Sequence, residues 1–152
     1  MQNVRAWEAR SPSPEDTAAV RADFVRREED TDGLSVYEVE TDEDRQIAVA
    51  AFAVARGNTG QIDVIEVDRE IIERFGTLTR TSAQSSVLKA NELHRSLDWT
   101  QERLHRLAEE LQRQQPRVTR YKPTQVKAAV AKLGDEEVTA DALDFVKRYR
   151  PR

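Results

Sequence analysis

Two histidines, His94 and His105, supply all the imidazole chemistry of the chain. Imidazole is the side chain best suited to move protons near neutral pH and a common metal ligand, so these two positions come first. They are eleven residues apart. On one continuous helix they would share a face, about 16 Å from each other. No single metal ion bridges that gap. His94 lies in "KANELHRSLDW", close to Asn91, Glu92 and Asp98. His94 with Asn91 is therefore the candidate catalytic pair, with His94 as a lone general base. The competing reading places His94 at the flank of a buried helical stripe, as a solvated or interface residue.

Other chemistries find less support. "EEDTDGLSVYEVE" has the look of a calcium loop. With Gly33 at loop position six, Glu28, Asp30 and Asp32 fall at positions one, three and five. Position twelve, which needs a bidentate glutamate, is then Val39, so an acidic turn is the better reading. The stretch "TLTRTSAQSS" is rich in hydroxyls but has no glycine elbow to present a nucleophile. The five glycines, Gly33, Gly57, Gly60, Gly76 and Gly134, sit at turns and helix stops, and no stretch matches a phosphate-cradling loop. There is no cysteine, which removes thiolate catalysis, disulfides and cysteine metal sites and fits a reducing compartment. No metal site and no cofactor are expected.

Charge offers more. The formal net charge is −4, yet "QRQQPRVTRYKPTQVKAAVAK", residues 112–132, holds six basic residues and no acid. Residues 101–152 carry +4 and residues 1–100 carry −8. Arg113, Arg117, Arg120, Tyr121, Lys122, Lys127 and Lys132 form a candidate nucleic-acid surface, in which Arg120 and Lys122 grip phosphates and Tyr121 stacks a base. Two things oppose it. The rest of the chain is acidic, and the basic residues do not cluster on one helix face as a recognition helix requires. A basic surface that is solvated, or that pairs with the acidic first half, explains the same residues.

Leu93, Leu97, Thr100, Leu104, Leu107 and Leu111 are spaced 4-3-4-3-4, an amphipathic seam of almost three heptads. Its candidate role is protein binding or self-association through Leu93, Leu97, Trp99, Leu104, Leu107 and Leu111. Polar Thr100 and the short length favour packing within the chain instead. Trp7, in the N-terminal stretch, needs some neighbour to cover its ring.

The elements that position these residues follow from punctuation and periodicity. Residues 1–12 read as irregular. Ser13 caps a helix opened by Pro14 and running to about Glu28, with Glu15 and Asp16 at the positive end of its dipole. Leu34 to Val39 alternates as a strand. Thr41 caps a strong helix whose face is Ile47, Ala50, Ala51 and Val54, and Gly57 stops it. Ile62 to Val67 is a second strand, Arg69 to Phe75 a short helix, and Thr77 to Thr81 a weak third strand. If the first two strands shared a sheet, they would be parallel. From Leu88 the pattern is helical, with a break available at Leu97 where Asp98 and Gln101 form a capping box. Pro116 ends this segment, "RVTRY" is an extended, exposed connector, and Pro123 opens a further helix. Thr139 starts the last helix, with Leu143 and Val146 inward.

At 152 residues, 38% hydrophobic and 34% charged, the chain reads as one domain with a modest core. The expected fold is α+β: a small β-α-β-α unit in 13–87, packed with a long amphipathic helix and two short C-terminal helices in 88–152, with a basic connector at 113–123. The N-terminus has no apolar signal region, and the longest apolar run, Ile47 to Ala55, is too short for a membrane span. A cytoplasmic location without membrane contact is expected. By subtraction, the expected function is a non-catalytic adaptor, regulator or inhibitor that binds another macromolecule. Nucleic-acid binding through 113–132 is the alternative, and a small enzyme centred on His94 is the second alternative.

Overall fold

A computed structural model describes residues 4–25, 33–80 and 85–152. The acidic turn residues Glu28, Asp30 and Asp32 fall outside these. The described residues form eight α-helices, one short 3-10 helix and four strands, an α+β fold with 51% of the chain helical. The helices are α1 (Val4–Trp7), α2 (Pro14–Asp23), α3 (Asp42–Arg56), α4 (Arg69–Glu73), α5 (Ala90–Leu93), α6 (Gln101–Arg113), α7 (Pro123–Ala131) and α8 (Ala140–Lys147). The strands are β1 (Leu34–Tyr37), β2 (Ile62–Ile65), β3 (His94–Leu97) and β4 (Val118–Tyr121). They make two antiparallel pairs, β1 with β3 and β2 with β4. The first two strands in sequence therefore lie in different sheets, and no parallel pair forms between them. Of the expected third strand, Thr81 lies outside the described residues, and the rest contributes one isolated bridge, Thr79 with Ser96.

Local chemistry explains the helix ends. The Ser13 hydroxyl accepts from the Asp16 N–H at 3.1 Å, and the Asp16 carboxylate accepts from the Ser13 N–H at 2.9 Å. Thr41 and Asp44 repeat the reciprocal arrangement, both bonds at 3.1 Å. Each pair satisfies donors that a helix start leaves open. Gly57 closes α3 at φ 70, a left-handed conformation that glycine adopts without steric cost. At α7, Pro123 takes the first position and the Gln125 side chain accepts the Lys122 N–H at 2.8 Å.

The chain divides into two compact units, each assembled from three separated segments. The first comprises 1–36, 63–80 and 95–120; the second comprises 37–62, 81–94 and 121–152.

In the first unit, α6 packs against α2, and α1 packs against α2. Leu104, Leu107, Ala108 and Leu111 of α6 are buried with Ala6, Trp7, Val20, Phe24, Ile72, Leu97 and Trp99 in one core. Residues 4–7 are helical rather than irregular, and Trp7 is fully buried. Its indole N–H donates to Asp23 at 2.7 Å and its ring lies 5.6 Å from that of Phe24. The neighbour that covers Trp7 is thus within the chain. Buried Gln112 donates to the Ala6 carbonyl at 3.1 Å, tying α1 to the end of α6.

In the second unit, α3 packs against α7, α5 and α8. Ile47, Ala50, Ala51 and Ala53 of α3 are buried, as are Val126, Ala129 and Val130 of α7 and Val146 of α8. The small alanines let helix axes approach closely. Val87 and Val138 form an isolated bridge, flanked by the Thr139 N–H donating to Ser86 at 2.9 Å.

Candidate functional site: an arginine-lined hollow

The leucine seam is not one helix. Leu93 ends α5, Leu97 ends β3, Thr100 caps α6, and only Leu104, Leu107 and Leu111 lie on α6 itself. The Thr100 hydroxyl accepts from the Arg103 N–H, so Thr100 rather than Asp98 caps α6. Leu97, Trp99, Leu104, Leu107 and Leu111 are all buried in the first unit's core, and Leu93 is half-buried in the second unit. The five core residues are spent on packing within the chain and do not form an outward docking stripe.

The basic stretch is also divided. Arg113, Arg117 and Arg120 belong to the first unit; Tyr121, Lys122, Lys127 and Lys132 belong to the second. Residues 118–121 are β4, paired with β2, rather than a free connector. The Arg120 Nε donates to the nearly buried Asp63 carboxylate at 2.9 Å. That hydrogen bond, with the charge of Asp63, raises the Arg120 pKa above its usual value. Arg113 pairs with Glu110 at 2.8 Å. Arg117, Lys122, Lys127 and Lys132 are exposed.

His94 is buried at the start of β3, its ring edge-on to that of Tyr37 at 5.6 Å. Burial pushes the Tyr37 phenol up from its usual value. The Asn91 carboxamide oxygen accepts from the Ser85 N–H at 2.7 Å, so that side chain organises its own turn. Neither His94 nor Asn91 lines either of the two hollows below. His105 lies on α6 with its Nε2 shut away from solvent and without a hydrogen-bond partner among the described residues. Among the described residues, no group of three or more His, Cys, Asp or Glu could hold a metal ion. No helix among them is long and apolar enough to cross a membrane.

One hollow, of about 420 Å³, belongs to the second unit. Its lip carries Asp42, Glu43 and Lys132 over Ile47, Ala129 and Leu133. Glu43 already accepts from Lys89 Nζ at 2.8 Å, and that bond raises the Lys89 pKa.

The other hollow, of about 470 Å³, belongs to the first unit. It is lined by Arg69, Glu73, Arg74, Phe75, Gly76, Thr77, Leu78 and Arg103. Helix α4 brings Arg69 and Glu73, which pair at 2.6 Å across one turn. The segment after α4 brings Arg74 to Leu78, and the first turn of α6 brings Arg103. Trp99 holds that segment: its indole N–H donates to the Thr77 carbonyl at 3.0 Å. Gly76 permits this, because a Cβ there would stand 2.5 Å from the Trp99 ring. Arg74 and Arg103 are exposed, with no acidic partner among the described residues. Three arginines against one glutamate leave the lining with two uncompensated positive charges, next to the half-buried apolar surfaces of Phe75 and Leu78. Such a surface attracts anions, and guanidinium groups bind oxyanions with paired N–H donors. No short motif announced it, because Arg74 and Arg103 are 29 residues apart in sequence.

The chain matches no protein-family model, no curated protein and no solved structure.

Proposed function

We propose that the protein is a non-catalytic macromolecule-binding protein, an adaptor, regulator or inhibitor, that works through its polarised charged surface. The observation that carries this reading is the pair Arg74 and Arg103, two guanidinium groups on a concave surface with no acid among the described residues to neutralise them. Unpaired arginine beside aromatic surface is what protein interfaces are enriched in. The amphipathic helix contributes by support: α6 spends its apolar face on the core and carries Arg103 on its outside. The cysteine-free composition suits work in the cytoplasm. The partner is another protein.

Nucleic-acid binding through 113–132 is the second reading, favoured by the exposed cations Arg117, Lys122, Lys127 and Lys132. Against it, Asp63 and Glu110 engage Arg120 and Arg113.

Purification of the tagged protein from its own cells separates the two. The expected result is a protein that stays bound at low salt, leaves as salt rises, and is indifferent to nuclease. Retention of nucleic acid, lost in the combined Arg117→Ala, Arg120→Ala, Lys122→Ala variant, would replace this reading with the second. Retention of no macromolecule at low salt would sink both.

A further inference from the structure

The hollow in the first unit has a charge, a size and a wall chemistry, and together they specify an occupant. Arg69 is committed to Glu73, so Arg74 and Arg103 are the two cations left to act. A volume of about 470 Å³ exceeds what a lone inorganic ion fills and lies in the range of organic ligands. Phe75 and Leu78 give one wall an apolar character. The chain as a whole is acidic, at −4, so a long polyanion is repelled outside the hollow while a locally acidic segment is not. We infer that this hollow seats an acidic segment of a partner protein, two neighbouring carboxylates meeting Arg74 and Arg103 and an apolar side chain resting on Phe75 and Leu78. This rests on the macromolecule-binding reading above and names the partner chemistry for it.

The Trp99 ring touches the Gly76 position in the wall, which makes its emission a local reporter, while fully buried Trp7 supplies a constant background. The test titrates the whole protein with a blocked peptide of glutamate and leucine, the same peptide with glutamine for glutamate, and inorganic pyrophosphate. Binding is read by calorimetry and by Trp99 fluorescence. The expected result is saturable binding of the acidic peptide, none of the glutamine peptide, and affinity about five- to tenfold weaker in the Arg74→Ala, Arg103→Ala variant. Both arginines are exposed, so this variant keeps its fold, and a thermal melt verifies it. Arg148→Ala, an exposed position in the other unit, is expected to leave affinity unchanged.

Three results overturn the inference: no binding of the acidic peptide, equal weakening by Arg148→Ala, or binding of pyrophosphate in place of the peptide. If the peptide fails while a protein partner is still retained from cells by the Arg74→Ala, Arg103→Ala variant, the inference falls and the macromolecule-binding reading stands, moved to another part of the charged surface. If no macromolecule is retained from cells either, both fall.

Discussion

Gly76 shows how one side chain decides the shape of a surface. Its Cβ, if present, would stand 2.5 Å from Trp99 Cε2 and 2.7 Å from Nε1, inside any tolerable contact. We expect Gly76→Ala to push the indole away, break its bond to the Thr77 carbonyl and cost about 1–3 kcal/mol. Urea denaturation measures the loss, and a shifted Trp99 emission locates it. Leu107 sits at the other extreme, fully buried against the first unit's core. Leu107→Ala is expected to cost about 2–5 kcal/mol, the usual range for a truncated core leucine. A cost near zero would mean that Leu107 faces outward as a docking residue. At this scale the sequence was least informative about the hollow. Arginines at 69, 74 and 103 look like ordinary solvated residues until α4 and the start of α6 bring them to one concavity. The apolar character of Leu97, Leu104 and Leu107 was plain, but only contacts could say whether that surface turned inward.

Elements that begin with a local start signal were legible from their first residues. Ser13 with Pro14, Thr41 with Asp44, and Pro123 each mark a helix start that the structure contains. The physical reason is local: the caps satisfy backbone donors within four positions of themselves, and proline presets the helical φ, whatever the tertiary fold. Strand β3 was not legible, and of β4 only the extended backbone was, not its pairing. Leu93 and Leu97 are four apart, which suits a helix face, but the short antiparallel ladder with β1 takes residues 94–97 instead. In a four-residue strand, pairing with a distant partner outweighs local spacing. The caps also set an acid limit. Backbone donation from Ser13, then from its hydroxyl, holds the Asp16 pKa below its usual value. Donation from the Glu40 N–H is the largest cause at Asp44, with the Thr41 N–H and hydroxyl adding to it. Groups with folded pKa values depressed in this way stabilise the fold above the unfolded carboxylate value of about 4, and the contribution disappears as pH falls through the lower folded values. Melting temperature is expected to drop as pH is taken from about 5 towards 2, and to drop less steeply in the Asp16→Asn, Asp44→Asn variant. Equal slopes in the two proteins would assign the acid sensitivity elsewhere. Thr41→Ala, which removes the other half of one box, is expected to cost about 1 kcal/mol.

On the scale of the molecule, the chain is interleaved. The first unit draws on 1–36, 63–80 and 95–120, and the second on the segments between and after them. The sequence suggested a mixed half up to residue 87 and a helical half beyond it. The hydrophobic periodicity changes there, but contacts do not respect that border: α2 needs α6, and α3 needs α7 and α8. We expect fragments 1–87 and 88–152, made separately, to lack cooperative melting and dispersed amide resonances, because each strips every core of a partner helix. A folded fragment would show that one half holds a core of its own. Such long-range closure also predicts slower folding than a helical bundle of similar length.

The indole of Trp7 is the point at which this architecture is most exposed to accident. It is the largest fully buried side chain, it hangs from a helix of four residues, and its hold depends on Asp23 and on the clasp of Gln112 around Ala6. Trimming those opening residues would do more than shorten a tail. It would pull a plug from the first unit, open its core beside Phe24 to water, and leave a sticky scar on an otherwise well-charged exterior.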